Sequence, residues 1–394
     1  MTTPSLPLTV DRLTDRLVEL ADRIHGFAEV KFEEHRSAAA LTEFLESEGF
    51  LVERGVAGLE TAFVARFDRG GATVAYLAEY DALPGLGHGC GHNLIGPTSL
   101  GAAVALKERI EEENLPGTIL VIGTPGEEGG AGKVTMVERG VFEEVDFAMM
   151  VHALNRTVLD YGTIAVVPVT AEFFGQASHA SVEPEKGRNA LDAVIQLFVG
   201  MNAMRQQVTQ DVRMHGVITN GGSAANVIPD HTSADWLLRA DSSEKIDDLL
   251  ERFEACVEGA AKMTGCRASV KMGQRYKPRI PNQTMLEVYD KNLRSLGIVS
   301  DSPPSAGGRG SSDMGDVSQV VPTIQCYLRI AADNVPWHSP EVVRLSRTQV
   351  GYDMVVNGAK VLGLTGYDIL RSSDLRQAIK KEFAERFQLA QPNS

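Results

Sequence analysis

The sequence predicts an α/β protein of two domains, and three observations lead to that expectation. Continuous apolar strands at Thr73 to Ala78, Thr118 to Gly123 and Phe147 to Val151 alternate with helical patterns, as in a sheet covered on both faces. Between about Val167 and Val270 the order changes to strand, helix, strand, strand, helix, strand, the split β-α-β order of a small antiparallel α+β domain. After Pro281 strand and helix alternation returns, so the small domain reads as an insertion. The expected boundaries are 1–166 for the first part of the larger domain, 167–277 for the insertion and 278–394 for the second part. With 394 residues, 43% of them hydrophobic, the chain can bury two cores.

Taken in order, Leu13, Leu17, Leu20, Ile24 and Phe27 recur at helical spacing between Thr9 and Lys31. A second amphipathic helix runs from Ser37 to Glu48 through Ala40, Leu41, Phe44 and Leu45, and Gly49 closes it. Short strands at Leu51 to Val56 and Thr61 to Phe67 precede the buried strand that ends at Ala78. A helix from Asn93 to about Glu113 is ended by Pro116 and Gly117, and another spans Lys133 to Arg139. Within the insertion, helices are expected at Asn189 to Gln207 and Glu244 to Met263, with strands at Asp211 to Thr219, Thr232 to Ala240 and Ala268 to Met272. A Gly- and Ser-rich loop, Ser302 to Asp316, leads to a strand at Thr323 to Leu328, and the polar tail after Gln388 reads as frayed.

Composition narrows the function classes. A net charge of −14 argues against nucleic acid or an anionic membrane surface as partner. No run of about 18 apolar residues occurs, and the start MTTPSLPLTVDRL lacks a cationic segment followed by an apolar core. Cys90, Cys256, Cys266 and Cys326 show no framework spacing, which points to free thiols in a reducing compartment. The expected location is the cytoplasm. Cys256 and Cys326 fall on apolar faces and read as core residues.

Chemistry gathers at the strand ends. After Ala78 comes EYDALPGLGHGCGHN, where glycines at 85, 87, 89 and 91 let Cys90 and His92 converge. The next strand runs into TPGEEGGAGK with adjacent Glu127 and Glu128, and the third ends on His152. His338, in VPWHSPE, adds a further imidazole. Three successive strands thus deliver metal-competent side chains to one end of the sheet, where open α/β sheets keep their sites. Cys90, His92, Glu128, His152 and His338 suit zinc, while the carboxylate would also accept manganese or cobalt. Their dispersion along the chain points to a catalytic site holding one or two divalent ions. Glu127 is then the candidate to move a proton between water and a leaving amine, and Asp81 to orient an imidazole. A surface histidine in a Pro-bracketed turn is the plainer reading of His338, and a turn cap between Ser178 and Ser181 that of His179. His25, His35, His215 and His231 read as structural or exposed, and His88 lies close to the site without an assigned role.

EYDALPGLGHGCGHN, GTPGEEGGAGK, the strand ending in His152, GQASHAS, GGSAANVIPD, GSSDMGDVS and VPWHSPE resemble, in order, the motifs of the metal-dependent aminoacylase and carboxypeptidase family. The resemblance spans nearly the whole chain and is nearest to the branch of aminobenzoyl-glutamate hydrolase and of dipeptidases cleaving β-alanyl and basic dipeptides. It implies a mixed-sheet, zinc-peptidase-like catalytic domain with an inserted α+β, ferredoxin-like lid and dimerisation domain. It implies that Cys90, His92, Glu128, His152 and His338 bind metal, that Glu127 is the general base and that Asp81 orients a ligand. His179 would stabilise the oxyanion, in its own or a neighbouring subunit's site. Asn226 and Arg239 would hold the substrate carboxylate, and Gly310 and Ser311 would offer backbone groups to substrate. Two positions depart from the pattern: Glu79 stands where peptidase branches have the histidine of an H-x-D motif, and Asn93 where many amidohydrolases have Asp.

The resulting expectation is a metal-dependent hydrolase of N-acyl or aminoacyl amino acids and related amides, working as a homodimer through the lid. A true dipeptidase is the nearest rival, and a hetero-oligomer is an alternative assembly. A non-catalytic metal-binding or regulatory subunit is the rival from another class, but it would be expected to have lost part of the ligand set, which here is complete.

Overall fold

The computed structural model describes residues 6–303 and 309–389. The middle of the expected loop, 304–308, and the tail from 390 onward lie outside the described residues. The chain opens with α1 (Leu6–Phe27), α2 (His35–Ser47), β1 (Leu51–Arg54), β2 (Phe63–Asp68), β3 (Thr73–Ala78), α3 (His92–Glu112), β4 (Thr118–Gly123), α4 (Gly132–Glu138) and β5 (Phe147–Leu154). There follow β6 (Ala165–Phe174), α5 (Ala190–Met204), β7 (Arg213–Asn220), β8 (His231–Ala240), α6 (Ser243–Thr264) and β9 (Arg267–Met272). The last stretch holds α7 (Gln283–Ser295), α8 (Met314–Val317), β10 (Thr323–Arg329), α9 (Pro340–Leu345), α10 (Gln349–Arg371) and α11 (Ser373–Leu389).

Two compact units result: Met1–Gly162 with Arg279–Arg309 and Asp316–Ser394, and Thr163–Pro278 with Gly310–Gly315. The first is built on a six-stranded mixed sheet of order β1-β2-β4-β3-β5-β10. β4, β3, β5 and β10 run parallel, and β2 pairs antiparallel with both β4 and β1. β3 and β4 are buried at every residue, as strands covered by helices on both faces must be. The spacing of Leu13, Leu17, Leu20 and Ile24 gives α1 one apolar stripe, and all four are buried in the core. α1 and α10 both pack on α3. At Gly101 of α3 an added Cβ would lie 2.7 Å from Leu17 Cδ1 and 2.9 Å from Ala359 Cβ, so the close approach of these helices needs glycine there.

The second unit has an antiparallel sheet of order β7-β8-β6-β9 with the chain order β-α-β-β-α-β. Alternation decides which face is buried. Val167, Val169, Ala171 and Phe173 of β6 and Ala234, Trp236 and Leu238 of β8 share a core with α5 and α6.

The C-terminal stretch differs from the alternation expected of it: among the described residues it holds one strand, β10, among helices. Its long helix α10 is amphipathic through Met354, Val355, Leu362 and Ile369, which follow the helical period and not that of a strand. His152 lies inside β5, which continues two residues beyond it, because β10 extends the pairing and places Tyr327 opposite His152. Cys326 is buried in the core of the first unit, whereas Cys256 is half-buried against that of the second.

Candidate metal centre and catalytic residues

The parallel register pairs Ala78 with Gly123, so the segments after β3 and β4 leave the sheet at the same level. Thr124 N–H donates to the Ala78 carbonyl at 2.8 Å and holds the two exits together. The first exit turns back to the sheet at Gly91, which has φ +81° and precedes the first residue of α3, His92. A Cβ at Gly91 would stand 2.9 Å from Ala153 Cβ, so both the backbone angle and the space call for glycine between Cys90 and His92.

Cys90 Sγ lies 3.6 Å from His152 Nε2. His152 Nδ1 is 2.6 Å from the Ala153 carbonyl oxygen, which only accepts, so the ring proton sits on Nδ1 and Nε2 presents a lone pair. His92 Nδ1 is 3.0 Å from Asp81 Oδ1, and the other Asp81 oxygen accepts the Glu128 backbone N–H at 2.8 Å. One buried carboxylate therefore fixes both an imidazole and the loop that carries the glutamates. His338 Nε2 stands 3.5 Å from Glu128 Oε1. The His338 backbone is left-handed at φ +58°, uncommon for a side chain with a Cβ, and its N–H donates to the Gly89 carbonyl at 3.2 Å. Three groups of donor atoms, each within 4.8 Å of one another, emerge: Cys90 with His92 and His152, Cys90 with Glu128 and His338, and His92 with Glu127 and Glu128.

These residues fit a divalent metal on three counts. Donors bound to one tetrahedral ion at metal distances of about 2.0–2.3 Å stand about 3.4–3.6 Å apart, the spacing of the Cys90–His152 and Glu128–His338 pairs. His92 Nε2 and Glu128 Oε1 are buried with no hydrogen-bond partner among the described residues, a costly arrangement unless a cation answers them. Burial pushes the Cys90 thiol up to about 12, so the thiolate needs a cation, and burial lowers His152 to about 4, leaving the neutral ring that ligates metal. Burial opposes charge on His92, but Cys90 and Asp81 outweigh it and raise its pKa well above the ordinary value. Metal binding must therefore displace a proton from this ring.

The other expected site residues lie in the second unit. His179 is exposed, and its Nδ1 accepts from the Ser181 backbone N–H at 3.3 Å, the turn cap that the sequence alone favours. Asn226 is exposed beside it, its carbonyl accepting from Ala180 N–H at 3.0 Å. Arg239 Nη1 donates to Ser311 Oγ at 2.9 Å, and the Gly310 carbonyl accepts from Ile164 N–H at 3.0 Å. The structure thus brings Arg239 and Ser311 together although 72 positions separate them in the chain.

Sequence reasoning missed two buried groups. Glu79, noted only as a departure from a motif, pairs through Oε1 with Lys133 Nζ at 2.6 Å, and both side chains are fully buried. The signal was available: each is a full charge set between apolar strands or glycines inside a quoted motif. Behind His152, Arg279 is buried against Asp160, Gln325 and the Tyr327 hydroxyl, whose ring packs 5.6 Å from that of His152. Those four positions carry no local signal, because only the parallel pairing of β5 and β10 assembles them.

Soft and carboxylate donors gathered at parallel strand ends, with Glu127 beside them, define a hydrolase with a metal-competent centre. The description peptidase family M20/M25/M40 matches residues 75–359, and the chain belongs to that family. It is 34% identical to mouse Xaa-Arg dipeptidase over 394 residues, covering 96% of this chain and 91% of the relative. It is 30% identical over 440 residues to one of the two subunits of p-aminobenzoyl-glutamate hydrolase from Escherichia coli K12, covering 93% of this chain and 92% of the relative. Its fold is like that of the Bacillus subtilis YXEP protein, a dinuclear metal binding peptidase of the M20 family, with a TM-score of 0.71 at 20% identity, covering 92% of this chain and 99% of that one. The chain is accordingly a hydrolase of amide or peptide bonds, from a family that binds metal.

Proposed function

We propose that this enzyme removes an amino acid or related amine from an N-acyl or aminoacyl group, with Cys90, His92, Glu128, His152 and His338 holding one or two divalent ions, zinc foremost. The observation that carries the reading is the pair of donor groups that share Cys90, one with His92 and His152 and one with Glu128 and His338, beside Glu127. When bound, the metal supplies Lewis acidity, polarising the amide carbonyl and easing ionisation of water. Asp81 holds His92 in one orientation through Nδ1 and anchors the Glu128 backbone. Glu127 takes a proton from water on its carboxylate and returns it to the leaving nitrogen. His179 donates to the developing oxyanion, and Arg239, with Asn226, Gly310 and Ser311, receives the substrate carboxylate.

Likeness to Xaa-Arg dipeptidase favours dipeptides with a basic residue as the substrate class. The four scattered cysteines support a reducing, cytoplasmic setting. We assign the second unit to lid and homodimer formation. No described helix is long and apolar enough to cross a membrane. The test is Glu127→Gln: turnover falls by at least about a thousandfold while metal content stays at the wild-type level. Wild-type turnover by this variant would refute the assignment.

A further inference from the structure

We infer that Glu79 is an additional metal ligand, bound beside His92, and that Lys133 is the buried counter-charge that keeps its carboxylate ionised before metal arrives. The inference rests on the metal-centre reading above and adds a residue to it. Glu79 follows β3 directly, has no exposed surface, and uses only Oε1 in the pair with Lys133. Its Oε2 has no hydrogen-bond partner among the described residues and stands 3.5 Å from His92 Nε2, itself buried and unpartnered. Two donors that both lack a partner, separated by the span of one tetrahedral edge, are placed to share an ion.

Hydrogen bonding between the two is not what the geometry serves. His92 already directs Nδ1 to Asp81, so in the neutral ring the proton sits on Nδ1 and Nε2 faces Glu79 as a second acceptor. An acceptor opposite a carboxylate oxygen is unfavourable until a cation lies between them. Lys133 cannot be that cation for both groups, since its ammonium is engaged with the other Glu79 oxygen. Removing a buried carboxylate from water is costly without a compensating charge, which explains why so deep a lysine accompanies it. The site then carries one more negative ligand than Cys90, Glu128 and the three histidines supply, partly balanced by the Lys133 ammonium.

Metal affinity decides the matter, measured by competition with a chromophoric chelator and by the visible spectrum of the cobalt-substituted protein. In Glu79→Gln, one metal equivalent should bind at least about tenfold more weakly and the cobalt ligand-field bands should change. In Lys133→Met, which keeps the carboxylate, affinity should match or exceed wild type. A structural ion pair predicts otherwise: both single variants would weaken alike. Glu79→Gln leaves Lys133 buried alone and could unfold, so the double variant Glu79→Gln/Lys133→Met, with both charges removed, provides the second measurement. Wild-type affinity and spectrum in the double variant, or equal losses in the two single variants, would overturn the inference. Failure of wild-type protein itself to bind zinc or cobalt would instead overturn the metal-centre reading, and this inference with it.

Discussion

Asp81 joins two parts of the site, with one oxygen 3.0 Å from His92 Nδ1 and the other accepting the Glu128 backbone N–H at 2.8 Å. Replacing it by Ala frees the imidazole to rotate and the glutamate loop to shift. Metal affinity should fall about ten- to a hundredfold, as when such outer partners are removed elsewhere. Chelator competition on Asp81→Ala checks this, and an unchanged affinity would count against the orienting role.

Glu34 ties the same loop from behind, Oε1 accepting from Gly126 N–H at 2.9 Å and Oε2 from the Thr61 hydroxyl at 2.8 Å. Burial, helped by repulsion from Asp81, raises its pKa from 4.5 to about 7. Between those values the native state binds more protons than the unfolded chain, so stability contributed by this group is greatest below 4.5 and declines as pH rises to about 7. The span corresponds to at most about 3 kcal/mol. Glu34→Gln, which keeps an oxygen for Gly126, should raise the melting temperature at about pH 8 and leave it nearly unchanged at pH 4.5. Thermal unfolding at the two pH values measures the difference.

How far such groups can be read from sequence depends on where their partners lie. Cys90, His92, Glu127 and Glu128 stand in glycine-rich loops directly after buried strands, so periodicity and position marked them. Glu34 and Arg279 find their partners through long-range pairing, 27 positions away at Thr61 and 119 at Asp160, and no local pattern predicts that. The elements of the insertion were legible because period-two strands and capped helices stood in sequence, Ser242 capping α6 by accepting from Lys245 N–H. The placement of Gly310–Gly315 with the second unit was not legible, since the segment lies beyond the chain's return to the first.

The Arg279 guanidinium has no exposed surface, while its partner Asp160 is a quarter exposed. Asp160→Ala should destabilise the first unit by about 2–3 kcal/mol, below the full range for breaking a buried pair because Gln325 and Tyr327 remain as acceptors. Urea unfolding gives the value. Asp160→Asn, which retains an acceptor, should recover part of the loss.

Two glycines should respond in opposite directions to the same substitution. At Gly132 an added Cβ would fall 1.8 Å from the Pro125 carbonyl oxygen, so Gly132→Ala must distort the loop carrying Glu127 and should cost about 1–3 kcal/mol together with activity. Gly259, inside α6, has nothing within 4 Å of the added atom. Gly259→Ala should stabilise by about 0.5–1 kcal/mol through helix propensity and leave activity unchanged. Melting temperature and turnover, measured side by side, test both.

Amide hydrolysis by this chain should depend on a metal held by Cys90, His92, Glu128, His152 and His338. The most direct test is turnover of a panel of basic dipeptides, N-acyl amino acids and aryl amides by protein stripped with chelator and then reconstituted with zinc or manganese, with bound metal quantified. The expected result is no cleavage by the stripped protein, recovery in proportion to metal restored, and preference for dipeptides with a basic residue. Undiminished cleavage by the stripped protein, or stoichiometric metal with no cleavage of any substrate, would contradict it.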